Sequence, residues 1–276
     1  MTDTTVTQPA TASADDWVVT VLDLELVCLS GLRISGPSDR DDVDIPVHRD
    51  HRGEPLVPGS SLKGVLRSLA ERVLRAKDPG LACDVIADPC PKGKKPEEVT
   101  EEMLAELCWC CRLFGSHHMG GRAAFGDLTT DSAATVVRDG VGIDRDELKA
   151  ADKVKFDYEV VVPGSKFTGE VRIEDPEPGD VGLVLGLFDL VEQGAAGLGG
   201  GTTRGLGRVS LRCVGARQVR ASTWTPGAGW TRLETAQLEA DKQAAARRMQ
   251  TRPGATGGEA GSGEAGSGEQ GGPGDG

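Results

Sequence analysis

The first sustained pattern in the chain is WVVTVLDLELVC (17–28), where Leu22, Leu24, Leu26 and Cys28 alternate with Asp23, Glu25 and Val27. A period of two predicts a half-buried strand. Beyond a Gly/Asp/Ser-rich loop (31–44) the spacing changes. Leu62, Val65, Leu66, Leu69, Ala70, Val73 and Leu74 recur three and four apart, the stripe of an amphipathic helix. Pro58-Gly59 opens it with Ser60 or Ser61 as cap, and Asp78-Pro79-Gly80 ends it. Runs at 122–129, 154–162 and 167–174 predict short strands, and 179–193 predicts a second, well-buried helix. Val209, Leu211 and Cys213 alternate in a last strand, and the mostly polar run 231–250 predicts a peripheral helix. This order predicts an α+β, ferredoxin-like sandwich, an antiparallel sheet with two helices on one face. A doubly wound parallel sheet would need helices between successive strands, and the middle of the chain lacks them.

Composition adjusts this picture at the ends. Of 276 residues, 1–15 are Thr/Ala-rich and 253–276 repeat a GSGEA-like unit, so both are expected to be disordered. The folded domain is expected over 16–215, with a peripheral segment and helix over 216–252. No apolar run approaches the roughly 18 residues of a membrane span, and the polar start lacks a secretion signal's layout. A cytoplasmic location without a membrane partner is expected. The net charge is −12, but the tails hold seven unopposed acids (Asp3, Asp15, Asp16, Glu259, Glu264, Glu269, Asp275), leaving −5 for 17–252. What matters for a polyanionic partner is therefore where the arginines and lysines cluster.

Five of the seven cysteines lie between Cys83 and Cys111. Cys83-x6-Cys90-x17-Cys108-x2-Cys111 offers four thiolates in two pairs, the second with the two-residue gap that lets both sulfurs reach one tetrahedral ion. Cys110, His117 and His118 are near enough to replace a ligand. A structural Zn2+ that folds the 81–121 insert and does no chemistry is expected, against the plainer reading of free buried thiols.

Three further segments carry candidate chemistry. The loop GLGGGTTRGLGR (197–208) runs from helix to strand, the wrong context for a P-loop or dinucleotide fingerprint. Its bare backbone amides, with Arg204 and Arg208, can still approach a polyanion closely, unless it is merely a flexible turn. The helix start PGSSLKG places Ser60, Ser61 and Lys63 where helix N-termini attract phosphate, with Arg67 one turn on. In SGPSDRDDVDIPVHRD, Asp39, Asp41, Asp42, Asp44 and Asp50 crowd near His48. They could hold a divalent ion or take a proton, or simply form a solvated loop.

In sequence, VDIPVHRD, GEPLVPGSSLKGVLRSLAE, CWCCRLFGS, GRAAFGDL, VGIDR, FDYEVVVPGSKF and GLGGGTTRGLGRV closely resemble the RAMP superfamily of CRISPR proteins, over roughly residues 17–214. Within it the chain looks like the backbone subunit repeated along the guide RNA of type III effector complexes. That resemblance implies a modified RNA-recognition-motif palm, with guide crRNA, target RNA, further copies in a filament and other type III effector subunits as partners. It implies RNA contacts at Ser60, Ser61 and Lys63 and at Gly199, Gly200, Gly201, Arg204 and Gly205. It also implies a thumb hairpin over 142–158 and a zinc-holding insert. Asp44 is similar to the aspartate that supports cleavage of target RNA with a divalent cation, Mg2+ or Mn2+. Where the family often carries GLHIG-type residues, the chain reads GLRISG (31–36). Two other readings stay open: a non-catalytic RNA-binding scaffold in such a complex, or a guide-processing endoribonuclease using His48 or His51.

Overall fold

In a computed structural model, residues 16–37, 43–91, 98, 100, 102–103, 106–143 and 150–250 are described. Both expected disordered tails, Asp39, Asp41, Asp42 and part of the expected 81–121 insert (92–97, 99, 101 and 104–105) lie outside those residues, as does the middle of the expected thumb. The elements run β1 (Val18–Cys28), α1 (Gly59–Lys77), α2 (Trp109–Phe114), β2 (Ala123–Phe125), β3 (Thr135–Ile143), β4 (Ala150–Val161), β5 (Lys166–Glu174), α3 (Asp180–Glu192), β6 (Val209–Arg220), β7 (Thr231–Arg232) and α4 (Thr235–Gln250).

Five strands form one antiparallel sheet in the order β2-β5-β1-β6-β7, and β3 and β4 pair as a separate hairpin. Without β7 and the hairpin, this is the ferredoxin-like βαββαβ arrangement. The central strand is β1, because Leu22, Leu24 and Leu26 bury one face completely against α1 and α3. Leu62, Leu66, Leu69, Ala70 and Leu74 supply the α1 stripe, with Val65 and Val73 half-buried at its margins. On the opposite face of the sheet, side chains pair by charge. Arg217 bridges Asp23 and Glu170, Lys166 approaches Glu25 at 3.8 Å, and Arg172 pairs with Glu174. Charge balance there leaves no basic platform for a polyanion.

Three differences from the sequence reading have physical causes. First, α1 is capped differently. Pro58 occupies the N-cap, Ser60 and Ser61 sit inside the first turn, and the Gly59 amide donates to the Asp127 carboxylate at 2.8 Å. Second, β6 continues to Arg220, past the boundary expected at 215. Third, α4, peripheral as expected with Ala245 its one buried residue, is docked by backbone contact. Gly179 and Gly182 of the α3 segment leave no room for a Cβ beneath α4, where Ala245 is buried. Lys242 pairs with Asp189 at 2.6 Å, and Arg248 with Glu177 at 2.8 Å while stacking on Trp109. A mostly polar helix can dock this way because its contact is backbone to glycine, which hydropathy does not reveal.

Candidate functional site

The glycine loop is a built structure. Gly199, Gly201, Gly205 and Gly207 all have φ between +77° and +84°, a region that a Cβ disfavours. The loop is clamped to the segment after β1: the Gly200 amide donates to the Arg33 carbonyl at 2.7 Å and the Gly207 amide to the Gly31 carbonyl at 2.8 Å. The Leu29 and Ser30 amides in turn donate to the Arg208 carbonyl. Arg204, in a single 3-10 turn, and Arg208 are exposed, and among the described residues neither guanidinium has an ion-pair partner.

Asp44 lies at the edge of the β3–β4 hairpin, exposed to solvent. Its segment runs beside β4 as an added partial strand. Ile45 donates to the Asp157 carbonyl at 3.1 Å, Glu159 donates back to the Ile45 carbonyl at 2.9 Å, and the Asp157 amide donates to Asp44 Oδ2 at 2.8 Å. Glu159 fixes this register. It is buried and accepts from the Val47 amide at 3.0 Å, from Thr135 Oγ1 at 2.7 Å and from Arg49. Burial alone would raise its pKa, but the Thr135, Val47 and Arg49 donors outweigh that and hold it below the ordinary glutamate value.

Alternation along β4 separates two kinds of chemistry. Asp157 projects with Glu159, opposite Asp139 of β3. Its carboxyl is pushed up by a hydrogen bond with Asp139, by desolvation and by the charges of Asp139 and Asp44. Phe156 and Tyr158 project from the other face, opposite Gly140 and Arg138. The Arg33 guanidinium stacks over the Tyr158 ring, 5.1 Å from its centroid. Asp44 and the glycine loop are thus linked by one contact chain running through Ile45, Tyr158 and Arg33.

Of the other expected RNA contacts, Ser60 is exposed and Ser61 and Lys63 half-buried on the first turn of α1. The Lys63 ammonium is destabilised by desolvation and then by Arg67, lowering its pKa. Arg67 faces elsewhere. Its guanidinium donates to Glu71 at 2.8 Å and to the Gly115 carbonyl at 2.9 Å, and lies 3.7 Å from Cys111 Sγ. Those bonds spend its donors on bracing the cysteine insert, which the i, i+4 spacing to Glu71 foreshadows.

Within that insert, the sulfurs of Cys83, Cys90, Cys108 and Cys111 all lie within 4.8 Å of one another, a cluster that could hold a metal ion. Cys108 caps α2, and its Sγ accepts from the Cys83 and Cys111 amides at 3.4 Å each. The Cys111 thiol and these amides lower the Cys108 pKa despite burial. Cys110 is buried outside the cluster, and desolvation raises its pKa. His117 and His118 also lie outside the cluster.

The RAMP superfamily profile matches residues 25–210, about two thirds of the chain. The chain belongs to the RAMP superfamily. Among curated proteins, this RAMP protein is 27% identical over 227 residues to the "CRISPR system Cms endoribonuclease Csm3" of Methanothermobacter thermautotrophicus, covering 70% of the chain and 84% of that relative. It is 28% identical over 206 residues to the protein of the same name from Methanocaldococcus jannaschii, covering 67% and 75%. Sequence reasoning did not single out Arg33, Arg138 or Glu159, and held Asp157 and Tyr158 only as part of the expected thumb over 142–158. For Asp157, Tyr158 and Glu159 the available signal was FDYEVVV (156–162), where acids alternate with aromatics and then give way to valines; Arg33 and Arg138 carried none. No described helix is long and apolar enough to cross a membrane.

Proposed function

We propose that this chain is a guide-RNA-binding backbone subunit of a type III CRISPR ribonucleoprotein, and that it cuts guide-paired target RNA through Asp44. The supporting observation is the placement of Asp44: solvent-exposed, fixed by a backbone amide, and joined through Tyr158 and Arg33 to a glycine loop carrying free arginines. The two relatives named as endoribonucleases support the same reading. Guide crRNA, target RNA, further copies of the chain in a filament and other effector subunits are the partners it entails, in the cytoplasm.

Arg204 and Arg208, with those amides of the glycine loop that its clamp leaves unbonded, grip phosphates without reading bases. Asp44 takes the proton of a target-strand 2′-OH. That oxygen attacks the adjacent phosphorus, the bond to the 5′ oxygen breaks with that oxygen taking a proton from water, and the products end in a 2′,3′-cyclic phosphate and a 5′-hydroxyl, Asp44 returning its proton to solvent. Asp44 is a hard oxygen donor of the kind a divalent cation prefers, but among the described residues it does not converge with other carboxylates into a cation site; the four cysteines are the group that does converge. Mg2+ or Mn2+, held by Asp44 together with the RNA's own phosphate oxygens, would supply charge neutralisation at the scissile phosphate.

At the insert the four thiols fit Zn2+. Sulfurs held tetrahedrally at about 2.3 Å stand about 3.8 Å apart, close to the observed packing. Four protein ligands leave no open position, so the role is structural. The functional test is reconstitution of the complex on a defined guide. Complementary RNA should be cut at regular intervals, and one 2′-deoxy nucleotide at a cut site should abolish that cut alone. Uncut RNA, or continued cutting at the deoxy position, contradicts the proposal.

A further inference from the structure

Arg33 has the chemistry of a phosphate ligand that nothing described so far uses. One face of its guanidinium is covered by the Tyr158 ring. Its Nη2 also lies against Gly200, where an added Cβ would come within 2.8 Å. Stacking occupies the faces of the guanidinium and leaves its in-plane donors. Of these, Nε is buried without a hydrogen-bond partner, and among the described residues no carboxylate pairs with Arg33. A buried unpaired donor on a charged group is costly unless a ligand completes it. Arg138 comes close on the same side, since a Cβ on Gly31 would lie 3.7 Å from its Nη2. The neighbourhood is therefore cationic, and it adjoins the strand that carries Asp44 through the Ile45–Tyr158 bridge.

We propose that Arg33 binds a phosphodiester of the target strand next to the linkage that Asp44 attacks, through a two-pronged contact from the edge of its guanidinium. This rests on the function proposed above. Gly200 must lack a side chain for the guanidinium to lie flat there, which gives that glycine a role beyond backbone conformation. Tyr158 acts as a positioning residue, holding the fork in its plane.

The test uses the assembled complex carrying Asp44→Asn, so that target RNA is bound but not consumed. Target affinity is measured with single neutral methylphosphonate linkages placed in turn around one cut site. With Arg33 intact, neutralising its partner linkage should weaken binding about 10-fold or more, as for other charged hydrogen bonds. In Arg33→Ala that linkage-specific penalty should vanish. Arg33→Lys, which keeps the charge and loses the fork, should retain part of it. Penalties that are equal with and without Arg33 at every linkage overturn the proposal. So does a Tyr158→Leu profile identical to that of Arg33→Ala with no dependence on linkage, because Arg33 would then only brace the hairpin. Failure of the underlying reading shows separately, as cleavage persisting in Asp44→Asn before any Arg33 variant is made.

Discussion

Replacing Glu159 with alanine should detach the segment that carries Asp44 from β4 while leaving the five-stranded sheet intact. The carboxylate is buried and collects the Val47 amide, the Thr135 hydroxyl and Arg49. Its removal strands the buried Val47 amide, worth about 1–3 kcal/mol, and a charged bond from Arg49 worth about 1.5–3 kcal/mol before solvent is counted. The Arg49 side chain is 26% exposed, so water recovers part of the second contribution. A net loss of about 3 kcal/mol follows, or roughly 6–12 °C in Tm for a chain of this size. Differential scanning calorimetry of the full chain reads the stability, and single-turnover cleavage in the complex reads the site. Cleavage should fall more than target binding, because the lost bonds position Asp44 and not the glycine loop.

The same residue sets a pH dependence. Its folded pKa lies below the unfolded value of about 4.3, so its stabilisation is complete above that value and is lost as pH falls through the folded one. The stability gap between the natural chain and Glu159→Gln should therefore narrow steadily below about pH 4.3. A Glu159→Ala change under 0.5 kcal/mol, or a gap that widens in acid, refutes this account of how the Asp44 segment is held to β4.

Three further outcomes follow from other parts of the fold. Gly182→Ala pushes a methyl into the Asp241 carbonyl; overpacking of this kind costs about 1–3 kcal/mol, and limited proteolysis should release α4 while sparing the sheet. Cys108→Ser should remove the bound metal seen by elemental analysis of gently purified chain, expected at one zinc per chain, whereas Cys110→Ser should keep it. Arg204→Ala with Arg208→Ala should weaken guide binding alike for all guide sequences and flatten the log–log salt dependence by about 1.4.

How much could be read in advance depended on the range of the interaction. The alternation in β1 and the stripe of α1 are local, and both appear in the structure at the positions their spacing dictates. The cysteine spacing likewise yielded the four sulfurs that converge. The hairpin was underestimated, since its first strand carries Val136, Val137 and Val141 largely exposed and shows no buried period. Glu159 and Arg33 owe their roles to partners more than a hundred residues away, Val47 and Tyr158, and no local pattern announces such pairings. Arg67 carries bonds that its position near a helix start did not announce, to Glu71 and to the Gly115 carbonyl across the insert. The docking of α4 was hidden because the decisive residues, Gly179 and Gly182, carry no side chain to read.

The central claim is most directly tested by Asp44→Asn, which keeps the shape of the side chain and its hydrogen bond from the Asp157 amide while removing the charge. Cleavage rate and target affinity should be measured on the same assembled complex. The account predicts a fall in the rate of about 100-fold or more, the scale of a lost general base, with affinity for the complementary RNA within a few-fold of the natural complex. Cutting at every regular site at an undiminished rate would contradict it.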